Sequence, residues 1–304
     1  MSSTTVLILS LIAAAVPALI YISLIYWVDR YEKEPVWLLA AAFLWGAIPS
    51  VIVAFIANSV LSIPFYLLAG QTAGNALAAT LIAPPVEETI KGLAVLGIFF
   101  LWRDEIDSPL DGIIYGAMVG MGFALVENVY YFVTVYNEGG AEVWGINIFL
   151  RGVIFGLNHA LFTSMTGLGV ALARMTTNRT ARFMAPIAGW MMAMFLHFLH
   201  NTAVSTGSAL CLLAFISDWG GIALILVIIV WALLQEQRWI KQYLVEEVGL
   251  YTLSPDEYNT ACSSRQRTRR HLNRLTTQGP GAYRRSLRFY YKCSELAYKK
   301  HHFA

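Results

Sequence analysis

Charged side chains are scarce in this chain: they account for 13% of its 304 residues, whereas soluble domains carry about 25%. Hydrophobic residues make up 57% of the chain, and its mean hydropathy is positive. This composition excludes an ordinary soluble domain. Because the apolar runs are long enough for helices that span a bilayer, we predict an all-α polytopic membrane protein.

Several chemical signatures are also missing, and each absence narrows the class of protein. The cysteines Cys211, Cys262 and Cys293 are odd in number and widely spaced, which argues against a disulfide framework and a zinc knuckle. No His-Glu-x-x-His sequence occurs, and no serine or cysteine stands beside a histidine in a convincing nucleophile context. The first 28 residues lack a basic start, so they indicate a retained membrane helix rather than a signal peptide.

About seven apolar segments have the length of a membrane-spanning helix. They cover residues 6–28, 36–57, 77–102, 110–136, 146–172, 184–205 and 219–235. The loops after the first, third and fifth segments carry Lys or Arg, whereas the loops after the second, fourth and sixth carry neither. Since cytoplasmic loops are enriched in positive residues, we predict an N-terminus outside the membrane and a C-terminus in the cytoplasm. The seventh segment has no lysine, which argues against a retinal-binding receptor.

More than half of the 21 Lys and Arg residues follow residue 234. We therefore divide the chain into a transmembrane domain, residues 1–235, and a basic cytoplasmic tail, residues 236–304. Basic residues beside a membrane attract anionic lipid, each contributing about 1 kcal/mol, so we predict that the tail binds the anionic surface of the bilayer. Interleaved tyrosines alone do not make a base-stacking platform, and no nucleic-acid partner is expected.

Glu87, Glu88 and Lys91 interrupt the third apolar segment directly after Pro84 and Pro85. Proline is favoured at the first helical position, so a helix is predicted to start here. Both glutamates would lie in its first turn, where the helix dipole favours negative charge, and Lys91 can partly neutralise them. Charges at membrane depth are costly, so the pair is a functional-site hypothesis. The simpler interpretation is a helix that starts among lipid headgroups.

Three later apolar segments carry polar residues at a similar predicted depth. The candidates are, in chain order, Glu127, Asn128, Tyr131, His159, His197, His200 and Asn201. Each of them alone is compatible with a structural polar group between helices. Counting a rise of about 1.5 Å per residue from the segment ends, we find that they converge with the Glu-Glu pair in the outer half of the bilayer. We therefore predict one polar cavity shared by four helices.

Such a cavity supports the hydrolysis of an amide bond in either of two ways. In the first, a glutamate of the pair acts as general base on water, while a histidine and Asn201 stabilise the oxyanion. In the second, Glu127, His159 and His197 bind zinc, and Glu88 is the general base. The residues and their spacing leave both mechanisms open.

A proton-coupled transporter or channel is the alternative prediction, because intramembrane glutamates and histidines also form proton relays. A relay should continue to the cytoplasmic side of the membrane. The inner halves of the third to sixth segments carry few ionisable groups, which argues against such a path.

Together, these motifs resemble those of the PrsW family of intramembrane proteases. The resemblance extends over residues 20–205 and is carried by Glu87-Glu88-x-x-Lys91, Phe123-x-x-x-Glu127-Asn128-x-x-Tyr131, Arg151 with His159-Ala160, His197-x-x-x-Asn201 and an acidic-proline loop at 29–35. It implies a multi-pass peptidase of the bacterial inner membrane. The implied substrate is a membrane-anchored protein, similar to an anti-sigma factor, that is cut near the outer boundary of the membrane.

The resemblance also implies roles for individual residues. The implied catalytic set is Glu87, Glu88, Glu127, His159, His197 and Asn201, and the supporting set that we predict is Lys91, Asn128, Tyr131 and His200. The family is commonly classed as a metallopeptidase, whereas the distantly related type II CAAX prenyl endopeptidases have been argued to use glutamate without a metal. Zinc is therefore a candidate cofactor that the resemblance leaves open. His200, directly before Asn201, departs from the family pattern and leaves open which histidine faces the cavity.

Overall fold

The computed structural model describes residues 1–206 and 208–303, and every regular element in these ranges is a helix. No strand occurs among the described residues, which confirms the predicted all-α class. The chain forms two compact units. The first unit comprises residues 1–26 and 35–226, and the second comprises residues 27–34 and the chain from residue 227 onward.

The first unit contains all the helices that carry the candidate site residues. Its helices are α1 (Ser3–Val28), α2 (Val36–Trp45), α3 (Val51–Leu61), α4 (Ile63–Leu77), α5 (Ala83–Leu101), α6 (Pro109–Phe149), α7 (Asn158–Met175), α8 (Arg179–Ser205) and the first part of α9 (Ser208–Gly249). Turns of π-helix join α2 to α3 and α4 to α5, and a third follows α6. Such turns are frequent at functional sites. One of them directly precedes α5, which carries Glu87, and another is separated by three residues from α7, which carries His159.

Five described helical stretches are long and apolar enough to cross a membrane. They are Ser3–Val28, Val36–Leu61, Pro109–Met175, Arg179–Ser205 and Leu210–Gly249. The sequence-based number of about seven differs from this one for two reasons. Glu87, Glu88 and Lys91 place three charges in α5, so α5 lacks the composition of an ordinary span. The 67-residue stretch Pro109–Met175 contains both α6 and α7, which the sequence analysis separates. The orientation of the termini stays a prediction.

Helices α6 and α7 pack so closely that their backbones touch. A Cβ atom at Gly112 would lie 2.2 Å from the carbonyl oxygen of Gly167, and a Cβ atom at Gly120 would lie 2.1 Å from that of His159. Rising numbers on α6 meet falling numbers on α7, so the helices are antiparallel. Small residues permit such close approach between membrane helices. The most apolar part of this stretch is 89% buried, so the pair is the centre of the unit, and it holds His159 against the middle of α6.

The start and the interior break of α6 follow from local sequence. Ser108 and Asp111 form a capping box in which Asp111 Oδ2 accepts from the Ser108 backbone N–H at 2.7 Å, which satisfies backbone donors that the first helical turn leaves free. Gly140 has a φ of 75°, a conformation that glycine adopts without the steric cost of a Cβ atom. The helix is therefore kinked at Gly140.

The start of α5 corrects one sequence-based expectation. The helix begins at Ala83, with Pro84 and Pro85 in its first positions, because the chain enters it through the preceding π-helical turn, Ala78–Ile82. The first helical turn therefore ends before Glu87. The prediction that the two glutamates occupy the first turn was wrong, and they lie one turn further into the helix.

The second unit has its own helices and its own apolar core. It contains the end of α9, followed by α10 (Pro255–Ala261), α11 (Ser264–Gln278) and α12 (Pro280–Phe303). The core includes Tyr31, Ile240, Leu244, Tyr290 and Tyr298. Two donors, Arg267 Nη1 at 3.0 Å and Ser294 Oγ at 2.9 Å, bind the carbonyl oxygen of Tyr31. The loop around Tyr31 is thus an integral part of this unit.

Candidate active site

Glu88 is the most fully engaged of the candidate residues. It is 0% exposed, and its Oε1 lies 2.5 Å from Lys91 Nζ and 2.8 Å from His197 Nδ1. Its Oε2 accepts a hydrogen bond from Thr163 Oγ1 at 3.1 Å. A carboxylate only accepts, so Nδ1 of His197 carries the hydrogen. Glu88 therefore links α5, α7 and α8 as a buried, paired acceptor.

Lys91 and Glu127 hold His159 from its two sides. His159 Nε2 lies 2.8 Å from Glu127 Oε2, and His159 Nδ1 lies 3.2 Å from Lys91 Nζ. Because the lysine donates and the carboxylate accepts, the ring carries its hydrogen on Nε2 and accepts at Nδ1. Lys91 also lies 4.4 Å from the centre of the Phe123 ring. The orientation of His159 is thus set by the Glu127 carboxylate, by the Lys91 ammonium group and by the close contact of its own backbone with α6.

Arg151 borders this group on the side of Glu127. Its guanidinium donates to Glu127 Oε2 at 2.6 Å and to Asn128 Oδ1 at 2.9 Å, and it lies 4.0 Å from the centre of the Tyr131 ring. Buried charges need such pairing to offset the loss of hydration. Asn128 and Tyr131, predicted as supporting residues, therefore contact the site through Arg151.

Glu87 is buried like Glu88 but has very different partners. Its Oε1 accepts a hydrogen bond from Asn58 Nδ2 at 3.3 Å. Its Oε2 is buried and has no hydrogen-bond donor in the described part of the chain, and it lies 3.9 Å from His197 Nε2. Since Nδ1 of His197 carries the hydrogen, both facing atoms are acceptors when His197 is neutral. A water molecule or a cation is the kind of group that would satisfy both acceptors.

Glu87, His159 and His197 form the group that could hold a metal ion. One donor atom from each lies within 4.8 Å of the others, and two imidazoles with one carboxylate make a donor set that suits zinc. The unpartnered Glu87 Oε2 supports this fit. His197 suits it too, because its other nitrogen is held by Glu88, the usual arrangement behind a metal-binding histidine. Ligation through His159 Nδ1 would displace Lys91.

The metal set predicted from the sequence names Glu127 in place of Glu87. In the structure Glu127 is occupied by Arg151 and His159, and Glu87 is the carboxylate that has an unengaged oxygen near both histidines. Helical periodicity places both glutamates inside the bundle. It does not show which of them faces the two histidines.

The remaining predicted residues lie at the edge of this centre. Asn201 donates from Nδ2 to the carbonyl oxygen of Ala79 at 2.8 Å and so ties α8 to the turn before α5. His200 is directed instead toward Asp218 on α9, with Nδ1 at 2.7 Å from Asp218 Oδ2. The structure therefore gathers the two glutamates of α5 with Lys91, Glu127, His159 and His197, and leaves His200 outside the group.

Sequence reasoning missed three residues that contact these side chains. Thr163 follows His159 by four residues and thus shares its helical face, which is a signal that the sequence did contain. Asn58 lies at the end of the second apolar segment and Asp218 directly before the seventh. Both lie outside the predicted spans, so nothing in their spacing connected them with the site.

Comparison with known proteins gives an independent result. A family model described as "PrsW family intramembrane metalloprotease" matches residues 34–234. A "Protease PrsW" of Geobacillus kaustophilus is 32% identical over 196 residues, which cover 63% of this chain and 78% of the relative. The "Protease PrsW" of Oceanobacillus iheyensis is 28% identical over 203 residues, covering 64% and 82%. That of Clostridioides difficile is 31% identical over 169 residues, covering 56% and 68%. No solved structure matches the chain.

Proposed function

The chain belongs to the PrsW family of intramembrane metalloproteases, and on this premise we propose which bond it cuts and with which residues. The relatives and the helices identify a bacterial multi-pass membrane protease. The proposed substrate is a membrane-anchored protein similar to an anti-sigma factor. The proposed cut lies near the outer boundary of the bacterial inner membrane, at the depth predicted for the motifs.

One observation supports the proposal that Glu87 and His197 form the reactive centre. Glu87 Oε2 and His197 Nε2 face each other at 3.9 Å, buried, with no donor to Glu87 Oε2 among the described residues. A packing role alone would leave an expensive unsatisfied acceptor at this point. A site that binds water and the peptide bond accounts for it.

In the proposed mechanism Glu87 is the general base. Its free oxygen takes a proton from a water molecule as the water oxygen bonds to the scissile carbonyl carbon. The same carboxyl group returns that proton to the leaving nitrogen as the C–N bond breaks. This contribution is typically worth about 10²- to 10⁴-fold in rate. Asn58 orients the base by donating to its other oxygen.

The neighbouring residues have positioning and electrostatic roles in this proposal. Glu88 is the positioning carboxylate, because Lys91, His197 and Thr163 occupy its oxygens. In its doubly protonated form, with a hydrogen on Nε2 as well as on Nδ1, His197 stabilises the oxyanion together with Asn201, whose amide has a second hydrogen besides the one bound to Ala79. Glu127 and Lys91 hold His159 in place.

If Glu87, His159 and His197 hold a zinc ion, that ion polarises the carbonyl group and lowers the pKa of water. The general base would then be Glu88, as the sequence analysis predicts. This role requires one of its oxygens to exchange its present partner for water, and ligation through His159 Nδ1 would also release Lys91 from that ring. The transporter or channel hypothesis is not favoured, since the relatives compared above are all described as proteases.

We also propose that the second unit lies in the cytoplasm against anionic lipid. The arginines at 265, 269, 284, 285 and 288 are exposed on α11 and α12. Each would contribute about 1 kcal/mol of attraction to an anionic surface. Binding of the purified protein to phosphatidylserine nanodiscs, compared with phosphatidylcholine nanodiscs, tests the contact with anionic lipid.

The experiment that tests the proposed function is cleavage of a membrane-anchored peptide by detergent-purified protein, with its metal content measured. Glu87→Gln removes the base and should lower the rate by on the order of 10²-fold or more. Glu138→Gln, at an exposed glutamate, is the matched control. Equal cleavage by Glu87→Gln and the parent would contradict the assignment. Stoichiometric zinc, with cleavage lost on chelation, selects the zinc mechanism, whereas cleavage by metal-free protein selects the glutamate mechanism.

A further inference from the structure

A second buried polar cluster lies beside the candidate active site. It consists of Asn158 on α7, His200 on α8 and Asp218 on α9. Asp218 is 1% exposed and Asn158 is 3% exposed. None of its members belongs to the group that surrounds Glu87, and Asp218 lies outside every motif that the sequence analysis considered.

The hydrogen bonds of this cluster converge on one carboxylate oxygen. Asp218 Oδ2 lies 2.7 Å from His200 Nδ1 and accepts from Asn158 Nδ2 at 3.0 Å. Because the carboxylate only accepts, both nitrogens act as donors toward it. The 3.0 Å approach of Asn158 Nδ2 to His200 Nδ1 therefore brings two donors together. Only the shared carboxylate oxygen makes that arrangement favourable.

Two of the three members adjoin residues of the candidate active site. Asn158 is the first residue of α7 and directly precedes His159. His200 directly precedes Asn201 and follows His197 by three residues. Asp218 therefore fixes the beginning of one site helix and the end of the other.

The ring of Phe162 connects the two polar groups through packing. It stacks on His197 with ring centres 5.0 Å apart, and its centre lies 6.2 Å from that of His200. A rotation of His200 would therefore displace a ring that rests on His197.

Helix packing alone does not account for a charged carboxylate at the buried position of Asp218. A buried carboxylate costs free energy even when paired, and apolar residues of similar volume often hold helices as well or better. Asp218 Oδ1 and Asn158 Oδ1 are both buried without a donor in the described ranges, which adds to that cost. What the carboxylate supplies in return is a defined orientation of two donors beside the site.

We propose that Asp218 is a positioning residue for peptide hydrolysis, which acts through Asn158 and His200 to place His159 and His197 against Glu87. The inference rests on the proposed function of that centre. Replacing the carboxylate with a neutral group removes the charge that strengthens both of its hydrogen bonds to the facing donors, so the beginning of α7 and the end of α8 are held less firmly. Small displacements of reacting groups are sufficient to slow an enzyme greatly.

The decisive variant is Asp218→Asn, which keeps the size of the side chain and removes its charge. In the full-length protein, kcat should fall on the order of 10- to 100-fold, with KM and the melting temperature near those of the parent. Ser217→Ala is the matched control, because the Ser217 hydroxyl donates to Ala214 within its own helix. Folded Asp218→Asn protein with the kcat of the parent would overturn the proposal.

An exchange variant separates positioning from general damage. Asn158→Asp combined with Asp218→Asn restores one carboxylate and one amide around His200, and it should recover much of the lost kcat. If Asp218→Asn does not fold, His200→Gln removes the other end of the hydrogen bond and must show the same loss of kcat. No recovery in the exchange variant, or full activity of folded His200→Gln, counts against the proposal.

A spectroscopic measurement decides the proposal even if the protein cleaves no tested substrate. In protein labelled with ¹⁵N at its six histidines, Asp218→Asn should shift the ring signals of His200 and also those of His159 or His197. A shift confined to His200 would overturn the proposal. Failure of the proposed function has a different signature, namely a parent protein that does not cleave or a Glu87→Gln variant that cleaves as the parent does.

Discussion

Glu87 and Glu88 are neighbours with the same chemistry and similar burial, and the structure gives them opposite environments. Successive side chains on a helix point about 100° apart, so Glu88 faces Lys91, His197 and Thr163, while Glu87 faces Asn58. The first carboxylate thus has one oxygen to spare and the second has none. This difference is the reason for assigning the base to Glu87 and the positioning role to Glu88 in the glutamate mechanism.

The buried ion pair of Glu88 and Lys91 leads to a stability prediction. Lys91→Met leaves the charge of Glu88 without its cation and should cost about 3–5 kcal/mol in the free energy of unfolding. Glu88→Gln combined with Lys91→Met removes both charges and should recover much of that loss. Thermal unfolding in detergent measures both variants.

The control for this prediction is Lys292→Met. Lys292 pairs with Glu295 at the surface, and exposed ion pairs contribute little, so this variant should unfold like the parent. Lys91→Met protein with the melting temperature of the parent would show that Glu88 carries no uncompensated charge.

At the scale of elements, the site depends on helices that approach to backbone contact. A Cβ atom added at Gly112 or at Gly120 would meet the backbone of α7 at similar distances, and only the second would meet a site residue, His159. Gly112 and Gly120 are therefore comparable packing positions, of which the first is remote from the site.

Gly120→Ala and Gly112→Ala test this difference. Each added Cβ atom forces the helices apart and should cost about 1–3 kcal/mol in stability. Both variants should lose stability to a similar extent. Only Gly120→Ala, which displaces His159, should in addition have a lower kcat than Gly112→Ala. Gly145→Ala is the control, because a Cβ atom there meets no described atom within 4 Å. Equal kcat for the two packing variants would mean that the position of His159 tolerates the displacement.

At the scale of the whole molecule, the chain contains two units with separate cores. The second is a folded helical unit, whereas its composition alone predicts only a basic tail. Arg267 is 4% exposed in this unit and donates to the carbonyl oxygens of Tyr31 and Ala261. A basic sequence therefore contains both surface arginines and one that holds the core together.

The second unit is predicted to lose stability in mild acid because of His271. Burial and the neighbouring Arg267 and Arg274 lower the pKa of His271 from its ordinary value of 6.5 to about 4. Between these values the unfolded chain binds a proton that the folded unit does not bind, so stability falls as the pH drops from 6.5 towards 4. Below about pH 4 both states are protonated, and the loss from this residue stops.

This pH dependence is measurable through the buried thiols of Cys262 and Cys293. Their labelling by dithiodipyridine, which reacts in acid, reports opening of the second unit in urea. The parent should open at lower urea concentration at pH 4.5 than at pH 6.5, and His271→Gln should show a smaller difference. An equal difference in both proteins would assign the acid sensitivity to other groups.

Residue types and spacings were sufficient to predict the all-α membrane class and most of the polar side chains at the centre, whereas the family was predicted from a resemblance that these motifs carry. This is possible because a charge inside a long apolar run is costly and therefore stands out in the sequence. The motifs around Glu87, Glu127, His159 and His197 could be found for that reason alone.

Only the tertiary structure decided which of these groups face each other. The contact of Asn58 with Glu87 joins residues 29 apart in sequence, and that of His197 with Glu88 joins residues 109 apart. Helical periodicity shows which face of a helix is polar, but the rotation of one helix against another depends on packing at positions such as Gly120. The free oxygen of Glu87, the contacts of Glu127 and the hydrogen bonds of Asp218 all follow from that packing.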